Sequence, residues 1–171
     1  MNRRHILSLS AITALGLGML PGNAVSQQKT LKEQLIGTWT FVSALDVKAD
    51  GSKTDRWSPN PKGIFMFDTH GNFAQFITRS DLPKFVGKTS ADGTPAEYKA
   101  VMMGLVASFG TYKVDEASKT LITHVEGGAF PNLIGVDQKR TIVSLTADEL
   151  KYANPATTTG TTAEAIWKRV K

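Results

Sequence analysis

Apolar and polar positions alternate with period two along most of the chain and switch to a helical period once. The segment "TWTFVSALDV" (38–47) is rich in β-branched and aromatic residues and ends in the turn "KADGSK". "SPNPKG" reads as a loop, since Pro59 and Pro61 cannot serve a central ladder. "IFMFD" and "NFAQFITR" flank "THG" and predict a hairpin closed by Gly71. In "GTPAEYKAVMMGLVASFG" Thr94 is the predicted N-cap, Pro95 opens the helix and Glu97 completes a capping box. Tyr98, Val101, Met102, Leu105 and Phe109 then follow at spacings of three and four, which predicts a stripe packed into the core, with Gly110 ending the helix. Period two returns in "TYKVD", "TLITHVE", "QKRTIVSLT", "ELKYAN" and "TAEAIWKRV". The expectation is an all-β domain: an eight-stranded antiparallel up-and-down barrel, with one helix inserted between strands 3 and 4. Closure removes the unpaired strand edges. Eight strands also enclose an interior wide enough for one small ligand.

The first 26 residues stand apart. Arg3 and Arg4 precede an apolar run from Ile6 to Leu20, which breaks at Pro21-Gly22 and is followed by the small residues Ala24 and Ser26. This is the pattern of a signal peptide, too short and too rich in Ser and Thr for a membrane span. "RRHIL" fits a twin-arginine signal and an ordinary Sec signal equally well. The reading divides the chain into a signal peptide (1–26) and one domain (27–171), with the product periplasmic or secreted and without a transmembrane anchor.

Composition narrows the chemistry. The chain has 20 basic and 15 acidic residues; removal of Arg3 and Arg4 leaves 18 against 15, a net +3. The charges are scattered, so nucleic acid is not an expected partner. There is no cysteine, which excludes thiol catalysis and thiolate metal sites. Only His70 and His124 remain after residue 26, so one copy cannot build a three-histidine metal centre. No metal or cofactor is implied. "VGKTS" lacks the first glycine of a phosphate-binding loop, and "DVKADG" has Lys48 at a calcium-ligand position.

Strand alternation divides the segments into faces. With Trp39 inward, Phe41 and Ser43 follow; Phe65 and Phe67 share a face, as do Phe73, Gln75 and Ile77. Tyr112 goes with Val114, His124 and Glu126 with Ile122, Arg140 with Ile142, Tyr152 with Leu150, and Trp167 with Arg169. The expected ligand-binding set is therefore Phe41, Phe65, Phe67, Gln75, Tyr112, His124, Glu126, Arg140, Tyr152 and Trp167. Such a cavity suits a mostly apolar molecule with one polar end. The planar fork of Arg140 suits a carboxylate or enolate.

The stretch "HVEGGAFPNLIGVDQKR" (124–140) admits three readings. Glu126 and Arg140 pair across strands while His124 is structural. His124 and Arg140 anchor the polar end of a guest. Or the site is catalytic, with His124 moving a proton, Glu126 orienting it and Arg140 stabilising an oxyanion. "FPN" at 130–132 is expected to shape a loop at the barrel mouth.

"IGTWTFVSALDVKADG", "PNPKGIFMFDTHGNFAQF", "GTPAEYKAVMMGLVASFGTYKVDE", "HVEGGAFPNLIGVDQKR" and the terminal "AIWKRV" resemble, in order, the bacterial and fungal lipocalin-like domain family. The resemblance implies a calycin-type barrel that binds small apolar molecules, with barrels of this broad kind also recruited as enzymes. It further implies that Trp39 lies at the closed end under Arg169. Fold does not fix function. The main expectation is a monomeric exported protein that binds a small hydrophobic or aromatic ligand, one with an anionic end if Arg140 anchors it. The alternative is a cofactor-free isomerase, cyclase or lyase using His124, Glu126 and Arg140. A third possibility is a barrel packed shut.

Overall fold

The structure, a computed structural model, describes residues 29–48, 50–57 and 59–171. The expected signal peptide (1–26) lies outside the described residues. Eight antiparallel strands close into a barrel: β1 (Gly37–Val47), β3 (Lys62–Phe67), β4 (Asn72–Thr78), β5 (Leu105–Asp115), β6 (Thr120–Gly128), β7 (Asp137–Leu145), β8 (Glu149–Asn154) and β9 (Thr162–Arg169). Each pairs with its chain neighbour in the barrel, and β1 pairs with β9 to seal the ring. A short β2 (Lys53–Asp55) pairs with Leu45–Val47 at the far end of β1, beyond the stretch that pairs with β3.

Three expectations about the helix need correction. The helix α2 (Pro95–Met103) follows β4 rather than the third strand, because β2 adds a strand in what reads as connecting chain. It also stops at Gly104, whose N–H bonds the carbonyls of Ala100 and Val101. Residues 105–111 belong to β5 instead, where they pair in register with all of β4 from Thr78 back to Asn72. Seven cross-strand pairs outweigh the local helical pattern. Thr94 and Glu97 do form the capping box. The helix, however, buries none of its residues, and Tyr98, Met102 and Met103 are exposed. Its apolar stripe is not a core face.

One end of the barrel is sealed from within. The helix α1 (Leu31–Leu35), capped by Thr30 and Glu33, lies across it. Glu116 reaches over from the β5–β6 turn and accepts the N–H groups of Leu31 and Lys32 at 2.9 and 3.0 Å. Trp39 is fully buried beneath and donates its indole N–H to the Leu35 carbonyl at 2.8 Å. Arg169 stacks on the Trp39 ring with its guanidinium carbon 4.0 Å from the centroid. Gly37, two residues before Trp39, is required by this packing: its φ is +125°, and a Cβ there would lie 2.8 Å from Nη1 of Arg169. A side chain at 37 and the guanidinium over Trp39 compete for one space.

Candidate functional site

The interior divides into two halves. Next to the sealed end, Phe65 meets Phe67 at 4.2 Å, Trp167 at 5.3 Å and Phe73 at 6.0 Å between ring centroids. Tyr112 closes on Phe67 at 4.9 Å and donates its hydroxyl to the Asp68 carbonyl at 2.9 Å. Burial, and secondarily the Asp68 charge, push its phenol above the ordinary range. This half is solid aromatic core. Phe65, Phe67, Tyr112 and Trp167 are thus inward, yet they do not border the free space.

The other half holds a cavity in which about 80 Å³ is open to the centre of a water molecule. Its volume follows from small residues: Ala44 on β1 and Ala163 and Ala165 on β9 face inward where larger side chains would fill it. Phe41, Trp57, Ile77 and Tyr152 supply apolar walls. Phe130 and Leu133, at the 3-10 turn Pro131–Leu133, lie at its edge, as does Met102 of α2. Asn132 is exposed and does not line it.

Arg140 is 7% exposed and reaches in from β7. Its guanidinium sits between the rings of Phe65 and Tyr152, at 5.9 and 5.7 Å from their centroids. Nη1 donates to Thr123 Oγ1 at 2.7 Å, and Nη2 makes a long contact of 3.4 Å to Gln75 Oε1. Nε is buried with no acceptor. Among the described residues no carboxylate forms an ion pair with it. A buried cation held only by a neutral hydroxyl and a stretched amide is incompletely solvated.

His124 and Glu126 require correction. They do share a face with Ile122, but it is the outer one; Leu121, Thr123 and Val125 point inward. The alternation is right and its sign is reversed. Turning Leu and Val inward leaves only a hydroxyl to satisfy, whereas the opposite choice would bury an imidazole and a carboxylate. His124 pairs on the surface with Asp137, Nδ1 to Oδ1 at 2.8 Å. Both side chains are nearly half exposed, so the pair adds little stability. Glu126 therefore does not pair with Arg140, and the three residues of the expected proton-transfer site are not brought together.

Three residues at the cavity escaped the sequence reading. A bulge between Phe41 and Ser43 shifts β1 against β9, so Phe41 is followed inward by Ala44 and Asp46, not by Ser43. Asp46 is 7% exposed, with Oδ2 3.6 Å from Nε of Arg56 and Oδ1 unpartnered. Arg56 stacks on Trp57 at 4.6 Å, and Trp57 meets Phe41 edge-on at 5.9 Å. Burial lowers the Arg56 guanidinium from its usual value, and the Asp46 charge partly restores it. The signal for Trp57 was a lone tryptophan beside a proline-rich loop; for Asp46 there was none beyond the bulge itself.

Among the described residues, no group of three or more His, Asp or Glu is placed to hold a metal ion. A family model described as a lipocalin-like domain matches residues 36–170. No curated protein matches the chain. Among solved structures, the chain is similar to a lipocalin-like protein from Bacteroides uniformis, at 14% identity and a TM-score of 0.46, covering 80% of this chain and 99% of that one. It is similar to a redesigned β barrel, mFAP1, bound to DFHBI, at 14% identity and a TM-score of 0.41, covering 82% and 100%. It is also similar to bovine odorant binding protein in complex with a selenium-containing odorant, at 14% identity and a TM-score of 0.43, covering 85% and 76%.

Proposed function

The chain belongs to the lipocalin-like domain family, and from that premise we propose that it is an exported binding protein whose open half-barrel holds a small, mostly apolar acid, with the acid group on Arg140. The observation that carries this reading is the buried guanidinium with a spare N–H and, among the described residues, no carboxylate partner, on a cavity whose walls include Phe41, Trp57, Ile77 and Tyr152. Apolar burial supplies the bulk of affinity, roughly 25 cal/mol per Å² removed from water. A carboxylate would give Arg140 the charged acceptor that Thr123 and Gln75 do not. Export is inferred from residues 1–26, and the family resemblance supports the container rather than the route.

The binding reading is preferred to the enzyme reading on geometry. His124 and Glu126 lie on the outer surface while Arg140 lies within, so no proton-transfer group of that set faces a guest held by Arg140.

The test compares 2-naphthoate with 2-naphthamide, an acid and a neutral probe of one shape, by calorimetric titration of the wild type and Arg140→Met. The naphthoate should weaken by roughly 10- to 100-fold, as expected for a charge-assisted hydrogen bond worth about 1.5–3 kcal/mol. The naphthamide should change little. Naphthoate binding that is indifferent to Arg140→Met would refute the anchor.

A further inference from the structure

The geometry points to a second polar recognition point, the Oδ1 atom of Asp46, which takes a hydroxyl or N–H donor carried by the guest away from its acid group. The acid end of this ligand class rests on the Arg140 reading above; the donor end does not.

Asp46 is a carboxylate inside the barrel with one oxygen wholly unpartnered. Its own protein neighbours do not supply a donor. Ala163 is its partner on β9, Ala44 is the preceding inward residue on β1, and Thr54, its partner on β2, makes no bond to Oδ1. Arg56 is the nearest cation, but Nε stands 3.6 Å from Oδ2, longer than a hydrogen bond, and Nε is itself unpartnered. Leaving a buried charged acceptor open is costly in a folded chain. Asp46 and Arg56 also border the same cavity as Arg140.

The strand register separates the two anchors. Asp46 on β1 is opposite Ala163 on β9, and Ala163 is opposite Asn154 on β8. The pairing of Thr141 with Ala153, continued one step, sets Arg140 beside Asn154. Asp46 and Arg140 therefore lie three strand spacings apart along the sheet, about 14 Å before its curvature and the inward reach of both side chains shorten the gap. Ala163 and Asn154, whose Oδ1 is taken by the Ala156 N–H, floor the path between them, and Phe41, Trp57 and Tyr152 wall it. A guest that answers both groups has an acid at one end, an apolar body and a hydrogen-bond donor at the other. A plain fatty acid or hydrocarbon answers at most one.

Two neutral probes test the donor site without involving Arg140. 2-Naphthol has the donor; 2-methoxynaphthalene keeps the oxygen and loses it. Calorimetric titration of the wild-type chain should show naphthol binding about tenfold tighter. Asp46→Leu should abolish that preference. Asp46→Asn, the closer match in shape, should reduce it and guards against a folding defect in the leucine variant, with circular dichroism checking both. Equal binding of the two probes to the wild type overturns the proposal, as does binding of neither. A uniform loss of both probes on substitution would make Asp46 a partner of Arg56 only, and also overturns it. Failure of the acid anchor reads out separately, as 2-naphthoate binding unchanged by Arg140→Met while the naphthol preference persists.

Discussion

Arg169 lies over Trp39 and sends its nitrogens to three backbone carbonyls, those of Gln34, Ile36 and Ala147. One side chain from the last strand thereby ties together the first helix, the start of the first strand and the β7–β8 turn. The carbonyls lie in the last turn and C-cap of the helix and in the β7–β8 turn, so the guanidinium takes up acceptors at the end of a helix and in a turn.

Arg169→Ala should cost about 2–4 kcal/mol, combining the stacking on Trp39 with charged hydrogen bonds to carbonyls. Arg169→Lys should recover only part, because an ammonium cannot span three carbonyls as a planar fork does. Urea unfolding measures the loss. Affinity for a cavity probe should stay near wild type in the folded fraction, since the cavity is in the other half of the barrel.

Arg140→Met should leave the melting temperature unchanged or raise it. A buried cation without a counter-charge is a burden in the empty protein, and an apolar side chain of similar length removes it. A broad drop in stability would mean that the bonds to Thr123 and Gln75 hold the fold rather than await a ligand.

The β3–β4 hairpin should show in the acid limb of stability. The Asp68 carboxyl is held below its usual value of 3.8, first by the Asn72 side-chain amide and then by the backbone N–H groups of Asn72 and His70. A depressed folded value means its contribution is complete above the unfolded value and is lost as pH falls through the folded one. Asp68→Ala should therefore be less stable than wild type at neutral pH, and the two unfolding curves should converge below about pH 3.8.

Helix α2 should open independently of the barrel. It buries none of its residues, and its ties to the preceding loop run through two side chains: Tyr98 meets Phe85 edge-on, donates its hydroxyl to the Ser90 carbonyl and accepts the Gly93 N–H, and Glu97 accepts the Val86 N–H. Amide exchange over 95–103 should be orders of magnitude faster than in β1 or β9. Thr94→Ala should accelerate it further without moving the global melting temperature.

Most of the container was legible because its signals are redundant. Phe65 and Phe67, and Phe73, Gln75 and Ile77, announce their faces by alternation, and the hairpin at Gly71 fixes their register. The site was less so. Alternation gives two faces but not which one is wet, so it admits β6 with His124 and Glu126 inside; the desolvation cost of those two residues decides the sign. "GLVASFG" keeps a helical spacing, while the partner that makes it a strand lies far upstream in β4, out of reach of any local pattern.

The irregularity between Phe41 and Ser43 has a consequence for how the binding properties of this barrel can diverge. Unbroken alternation from Trp39 would bring Leu45 and Val47 to the lumen and turn Asp46 out. Here the opposite holds, through backbone count alone. Excising one residue at Val42 would straighten the strand yet keep Ala44 and Asp46 inward, because Phe41 and Ser43 already face consecutive residues of β9. A chain of the same length whose strand ran straight would instead turn Leu45 and Val47 to the lumen, so guest preference can change through backbone geometry even where aligned side chains are identical.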